Sequence, residues 1–454
     1  MRARALPLWR ALVVTVASLA LVLVTPVLGW AHASLVSSDP AAKSLLHTAP
    51  SRIRLVFSEE LEPSLGRISL VGSDGVVMKL VAAGDPHDVN ALVAPVHPLT
   101  AGAYRVDWRV VSADGHPVEG SYVFTVELPG TVASPAPRES VAPPPPDIHA
   151  PDDAGTVNWG PSVAGAPLVP SLLRGLAVGT LMAAAGLLVF LSFGRVPTDL
   201  AARRPEAFAR WLSVAAVPLL VAHHAAWALN ALPEHSLGPD MLSAMLTSNV
   251  GRAELWRSGL ALLAAWAIVL ARRPRLAMAF SIAAVLFSGT TGHSAAIHPM
   301  WTTPAKALHL LAGAVWLGGL LWLLTFDRSD ATRFEREASR VSSAALIAVL
   351  VVTASGVVQT FLFLATPLDL FRSAYGAVAL AKIAGLLVLV GFGAYHRFRV
   401  LPALAGDARR STQFASTLRK ELVVMAVVIL LGGLLGYVPP PADAPLSPAH
   451  AAIR

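Results

Sequence analysis

The sequence predicts a two-part protein: a small antiparallel β-sandwich followed by an all-α polytopic membrane domain of about eight helices. Three observations carry that prediction. The 454 residues are 55% hydrophobic and only 14% charged, with mean hydropathy +0.61, a balance that a soluble chain of this length does not show. Between residues 52 and 126 apolar side chains alternate with polar ones, the period of a half-buried strand. Beyond residue 167 the chain falls into eight long apolar stretches.

Residues 1–31 open with Arg2, Arg4 and Arg10, run through an apolar segment at 11–29, and end on small residues, the three-part layout of a secretory signal. Cleavage after Ala31 leaves His32 as the mature N-terminus; cleavage after Ala33 removes it, and the spacing rule alone admits both. An uncleaved first transmembrane helix is the alternative, since the run is close to the ~20 residues needed to span. The sandwich occupies residues 32–128. Its strands are marked by Ile53/Leu55/Phe57, Ile68/Leu70, Tyr104/Val106/Trp108/Val110 and Tyr122/Phe124/Val126, with turn signals at Ser73-Asp74-Gly75 and Ala113-Asp114-Gly115. Residues 129–167, with four consecutive prolines from Pro143 to Pro146, cannot bury a core and read as a semi-extended tether.

The membrane domain spans residues 168–438, with apolar stretches at 168–193, 211–231, 255–271, 275–292, 304–326, 341–365, 374–395 and 419–438; residues 439–454 read as a disordered tail. Loops after the first, third, fifth and seventh stretches hold 17 Lys/Arg, among them Arg203, Arg272, Arg333 and Arg409, whereas the opposite loops and tail hold Arg252, Arg372 and Arg454. Positive loops stay in the cytoplasm. Eight spans therefore put both mature ends, and the β-domain, on the outer side of a lipid bilayer. The same map disposes of a nucleic-acid reading of the net charge of +7 and pI near 10.1: residues 32–166 carry net −7, and the positive excess belongs to the membrane domain. With no cysteine, the chain has no disulfide frame, no thiolate metal site and no cysteine nucleophile.

Histidine placement carries the chemistry. In Ser112-Ala113-Asp114-Gly115-His116-Pro117, side chains two apart share a face if the segment is extended, so Asp114 and His116 can converge on one ion. A free N-terminal His32 adds an α-amine and a ring nitrogen. Such an N/O set suits tetragonal Cu(II), with Ni(II) or Zn(II) also admissible, while a plain polar turn between strands is the competing reading. His47, His87 and His97 read as surface residues.

The runs His32-Ala33-Ser34-Leu35-Val36-Ser37-Ser38-Asp39-Pro40, Arg54-Leu55-Val56-Phe57-Ser58-Glu59 and Trp108 through Gly120 resemble the copper-resistance CopC family. The resemblance covers residues 32–126 and implies an exported Ig-like β-sandwich that binds Cu(II) through the mature N-terminal histidine and an Asp-x-His pair. It implies His32, Asp114 and His116 as ligands, and cleavage after Ala31. Some relatives carry a methionine-rich loop for Cu(I); here Met78 stands alone in the domain, which argues against a separate Cu(I) site.

The membrane half has its own donors. His223 and His224 lie near the outer end of the second stretch, His309 at similar depth in the fifth, and His293, His298 and Met300 in the outer loop between the fourth and fifth. Ionisable groups inside spans usually line a pathway or pair with a partner; capping of helix ends is the plainer reading for His293 and His298. Lys382, about 12 Å into the seventh stretch, is expected to pair with a carbonyl or an acidic side chain or to have a depressed pKa, and to gate or bound the route, with a purely structural role as the alternative. Gly318-Gly319 and Gly432-Gly433 read as close helix contacts. The segments Gly292-His293-Ser294-Ala295-Ala296, Leu308-His309 through Leu320, Tyr375 through Lys382 and Leu418-Arg419-Lys420-Glu421 resemble the CopD family, eight-span proteins implicated in copper passage across the inner membrane.

The combined resemblance is to CopC/CopD fusions. It implies a non-enzymatic copper-binding protein of the bacterial plasma membrane, multi-pass, with the β-domain on the periplasmic side, whose partners are copper ions, the bilayer and other periplasmic copper carriers, and no nucleic acid. No Walker motif is present, so transport would run on a gradient or a reduction step. Two readings from other classes stand beside it: a b-type haem electron-transfer protein with His224 and His309 as axial ligands, and a copper oxygenase built on the N-terminal histidine.

Overall fold

The computed structural model describes residues 34–127, 167–193, 203–231, 239–328, 331–403, 408–438 and 440–441. The expected signal segment with His32, almost all of the tether and nearly all of the tail lie outside the described residues. Contacts divide the chain into two compact units, one built on strands and one on helices; each is taken by itself.

The first unit has nine strands: β1 (Leu35–Asp39), β2 (Leu45–Leu46), β3 (Arg52–Phe57), β4 (Arg67–Gly72), β5 (Val77–Leu80), β6 (Ala83–Asp85), β7 (Asp88–Pro95), β8 (Gly102–Val111) and β9 (Pro117–Val126). They form a four-stranded sheet in the order β1-β3-β7-β6 and a five-stranded sheet in the order β2-β9-β8-β4-β5, antiparallel except where β2 meets β9. The alternation expected from sequence is what buries the core: Ile53, Leu55 and Phe57 from one sheet face Ile68, Leu70, Val106, Trp108 and Phe124 from the other. Phe57 meets Trp108 edge to face at 5.0 Å. Trp108 lies opposite Gly120 in the β8–β9 register, and a Cβ on Gly120 would stand 2.5 Å from the indole, so only glycine fits there. At the exposed edge, Arg54 bridges Asp85 and Asp88 at 2.8 Å each.

Tyr122 on β9 yields a pH expectation. Burial, opposed in part by a Ser38 hydrogen bond and reinforced by the Asp39 charge, pushes its hydroxyl up to about 12. The folded state holds this proton more tightly than an unfolded tyrosine, whose pKa is about 10. The stabilisation is therefore complete below that value and is lost as pH rises towards 12. The thermal midpoint of the β-unit, followed by tryptophan fluorescence at stepped pH, should fall across this window, and Tyr122→Phe should flatten the fall. A wild-type midpoint constant over the window would contradict the assignment.

The helical unit is built on α1 (Leu168–Phe193), α2 (Arg203–Ala231), α3 (Asn249–Val269), α4 (Pro274–Phe287), α5 (Pro299–Thr325), α6 (Ala331–Phe363), α7 (Ala374–Tyr395) and α8 (Ala408–Leu435), joined in places by short helical turns such as His293–Ala296. All eight fall where apolar stretches were expected. Five of them, α1, α2, α5, α6 and α7, are long and apolar enough to cross a membrane; α4 is shorter, and α3 and α8 carry several charges. The tight α3–α4 hairpin turns on Arg272, held at φ 52°, and Pro274 opens α4. Ser373 caps α7, its hydroxyl accepting from Gly376 N at 2.9 Å.

Helices α2, α3, α6 and α8 begin six to eleven residues before their apolar stretches. Hydropathy sees only the part suited to lipid; charged residues such as Glu206 and Arg210 continue the helix through an i,i+4 ion pair at 2.5 Å.

Helix α1 packs against α4, α5 and α8. Its contacts are made by glycine. A Cβ on Gly186 would stand 1.8 Å from the Ala314 carbonyl oxygen, and one on Gly318 would stand 2.1 Å from the Gly186 carbonyl carbon. On the other side, Gly433 lies against Ser171 and Gly175, where a Cβ would come within 2.5 Å of backbone. Gly318, Gly319 and Gly433 have the close-contact role expected of them, whereas a Cβ on Gly432 would meet only Lys382 Nζ at 3.8 Å. Trp211, Trp256 and Trp301 are exposed, as belt residues would be.

Candidate metal centre

Strands β8 and β9 form a hairpin whose last pair is Val111 with Pro117, leaving Ser112–His116 as the connecting loop. The loop is not extended, which corrects the reasoning that brought Asp114 and His116 together by strand periodicity. They converge because the chain turns: Gly115 sits at φ 94°, a left-handed conformation that a side chain would resist, and its N–H donates to Ser112 O at 2.8 Å. The loop is fixed from both directions. Ser112 N–H donates to His116 O at 3.0 Å, Ala113 N–H to Glu60 O at 2.8 Å, and Glu62 N–H to Val111 O at 2.7 Å.

Within it, Asp114 Oδ1 accepts from His116 N–H at 3.0 Å and from the Ser112 hydroxyl. The other oxygen, Oδ2, faces His116 Nδ1 at 2.8 Å, and both residues are buried. That separation has chemical content. Two donors each about 2.0 Å from a metal ion, at right angles on it, stand about 2.8 Å apart. The pair is thus spaced as adjacent corners of a tetragonal site, while Oδ1 spends its lone pairs on the loop and orients the carboxylate. The polar-turn reading and the metal reading describe the same five residues. His32, the third expected ligand, lies outside the described residues; His47, His87 and His97 are exposed.

In the helical unit the expected donors separate into three settings. His223 on α2 is buried and engaged at both nitrogens: Nδ1 accepts from Arg257 at 3.2 Å with Glu254 at 3.7 Å, and Nε2 stands 3.3 Å from the Tyr437 hydroxyl. His224 is buried against Trp227, with ring centroids 5.8 Å apart, and its Nε2 has no hydrogen-bond partner. His309 on α5 stands 3.1 Å from the Ser355 hydroxyl of α6, whose own hydrogen goes to Val351 O at 2.6 Å. His309 Nδ1–H must then donate to Ser355, and Nε2 keeps its lone pair, the tautomer a metal-binding histidine needs. Among the described residues no hydrogen bond or ring contact joins His224 to His309.

His293 starts the short helical turn and is buried, its Nε2 3.1 Å from Val438 O. His298 is exposed and stands at φ 47° just before α5, the helix-end role that competed with a ligand role; Met300 is exposed as well. Of the outcomes expected for Lys382, the partner is not found: among the described residues no hydrogen bond or ion pair reaches it, and its Nζ lies 3.8 Å from where a Cβ on Gly432 would be. The packing of α7 on α8 at glycine leaves room for the ammonium but offers it no acceptor.

Sequence reasoning missed several buried carboxylates, Glu254 and Glu421 among them. Glu254 forms a buried ion pair with Arg257 inside α3, one turn apart, in a stretch taken for loop and helix start. Glu421 on α8 lies 3.1 Å from His396 Nδ1 and accepts from Trp316 Nε1 at 3.3 Å, while His396 Nε2 bonds Thr417 at 2.9 Å. Because the Thr417 hydroxyl donates to Phe414 O at 2.9 Å, His396 Nε2 is the donor in its contact with Thr417. For Glu254 the available signal was a basic residue, Arg257, three positions on at the edge of an apolar run; no such spacing marks Glu421.

Comparison with known proteins matches the chain in three consecutive blocks: a CopC domain at residues 35–127, the N-terminal domain of copper resistance protein D-like proteins at 166–301, and copper resistance protein D at 332–435. The copper transport protein CutJ of Bacillus subtilis is 25% identical over 446 residues, covering 92% of this chain and 76% of its own. Copper resistance protein C of Pseudomonas syringae pv. tomato is 43% identical over 109 residues, 22% of this chain and 84% of the relative. Among solved structures, CopC from Methylosinus trichosporium OB3b matches at 35% identity with TM-score 0.21, covering 22% of this chain and 99% of that one.

Proposed function

Because the chain belongs to the copper-resistance family in which a CopC domain is followed by CopD domains, and so serves a copper-related function in the membrane, we propose that its β-domain captures Cu(II) outside the cytoplasm and delivers copper to the helical domain for passage inward. The observation that carries the reading is the Asp114 Oδ2–His116 Nδ1 separation of 2.8 Å, which suits two adjacent ligands of one ion. His32, with its α-amine and ring, completes the set at a mature N-terminus. Copper is cargo in this reading, and the chain carries out no covalent chemistry on it.

The route favoured inside the bundle begins at the exposed His298 and Met300 and continues to His309, whose Nε2 lone pair is set by Ser355. His223 is held in an ion-pair network and serves more to shape the entrance than to bind. Cellular copper, measured by elemental analysis after growth in limiting copper, should fall in a strain lacking the protein and fall equally in one carrying His116→Ala. Copper content unchanged by deletion would reject passage through this protein. A rise on deletion would reverse the direction.

A further inference from the structure

Four cationic side chains occupy one layer of the helical unit. Arg174 lies six residues into α1, Arg257 eight into α3, Lys306 seven into α5 and Lys382 eight into α7, so each stands about 9–12 Å from its helix start at 1.5 Å per residue. The helices share a direction where it can be checked. Gly186 and Gly318 meet at equal depth in α1 and α5, and the end of α8 lies against the start of α1. The layer is also continuous in space: Arg257 meets His223 at 3.2 Å and Ser288 at 3.5 Å, His223 meets Tyr437, over whose ring Arg174 lies, and Lys306 reaches Thr291 just past Ser288.

The charges do not balance. Among the described residues Glu254 is the only carboxylate in the layer, and it is already paired with Arg257. The other cations meet neutral groups. Arg174 donates to Gly436 O at 3.2 Å and lies over the Tyr437 ring at 5.6 Å, and Lys306 donates to Thr291 O at 2.5 Å. Among the described residues no hydrogen bond or ion pair reaches Lys382. Interior ionisable groups are normally paired with one another or with backbone carbonyls, and three basic side chains without a carboxylate of their own in one layer are unusual.

A second, independent observation points the same way. Arg257 is 2% exposed, yet among the described residues its Nε, which can only donate, has no hydrogen-bond partner. Buried donors of this kind are ordinarily matched by an acceptor. Arg174 and Lys306 are only half-buried, which leaves the layer reachable from its open end.

We propose that this layer binds a compact monoanion, a halide or a carboxylate, held by Arg257 and Lys306 with Arg174, Lys382 and His224 around it. None of its residues is among the expected ligands His32, Asp114 and His116, and the argument stands whether or not copper crosses the bundle.

The test uses the full chain in detergent, with chloride, bromide or acetate titrated against a bulky sulfonate at constant ionic strength, reading the thermal midpoint. A saturable rise of several degrees is expected, as a ligand bound only by the folded state produces. Response to chloride and bromide alone assigns a halide; response to acetate alone assigns a carboxylate. Lys306→Gln should weaken the apparent affinity at least tenfold, with Lys79→Gln in the β-domain as a control that retains it. Arg257→Gln should remove the response, and Lys306→Gln keeps the test open if that variant fails to fold. A midpoint indifferent to all three anions, or a response unchanged in Lys306→Gln, overturns the proposal.

Discussion

Replacing His116 by alanine in the full chain is expected to weaken Cu(II) binding by at least about 100-fold, equivalent to about 2.7 kcal/mol. The loss is that of one of two donors held 2.8 Å apart in a loop fixed by backbone hydrogen bonds to Glu60 and Val111. The loop should survive, because its pinning bonds are backbone to backbone and do not use the imidazole. Asp114→Asn separates charge from architecture: the amide oxygen can still accept from Ser112 and His116 N–H, so the turn persists while the anionic ligand is gone. Its affinity should fall about tenfold or more. His87→Ala, at an exposed histidine of the same unit, should change nothing. Competition calorimetry with a chelator of known affinity reads all three, and a His116→Ala affinity equal to wild type would sink the assignment.

The second large effect concerns Gly318. A leucine there has no direction in which to yield, since the nearest atoms are the Gly186 backbone at 2.1–2.5 Å from the new Cβ. Side chains can change rotamer, but a helix axis moves only with its whole length. Overpacking of this kind costs about 3 kcal/mol or more, and the α1–α5 crossing should open. Gly318→Leu is expected to lower the yield of folded protein extracted from membranes severalfold and to broaden its gel-filtration peak. Gly259→Ala and Gly391→Ala, where a Cβ meets nothing within 4 Å, should be neutral or slightly stabilising by helix propensity. Equal yields across the three variants would show that the close approach is not what holds α1 to α5.

Much of this architecture was legible in the sequence because lipid and strand periodicity are strong constraints. Eight apolar stretches predicted eight helices, and the Ile53/Leu55/Phe57 and Tyr104–Val110 alternations predicted which side chains fill the sandwich. The helix starts were read late wherever a charged turn precedes the apolar part, as at Arg252 to Arg257, and that error hid Glu254. Burial of a carboxylate is decided by which cation faces it across the bundle, information no local pattern holds. Asp114 and His116 were found for a reason that proved incomplete: spacing of two pointed to a shared strand face, whereas the turn at Gly115 is what joins them. Lys382 was flagged as unusual by depth, and among the described residues no acceptor reaches it; local sequence could not say which of the expected outcomes, a partner or none, the bundle supplies.

The five-residue loop between β8 and β9 has one more consequence. Its carboxylate and imidazole belong to no strand face of their own and meet through the turn that the pairing of Val111 with Pro117 closes. A slip of one residue in that ladder would turn every inward side chain of one strand outward and would also pull the carboxylate away from the imidazole. The Asp114–His116 contact therefore reports strand register, and a misthreaded hairpin would lose it before the sandwich was visibly unfolded.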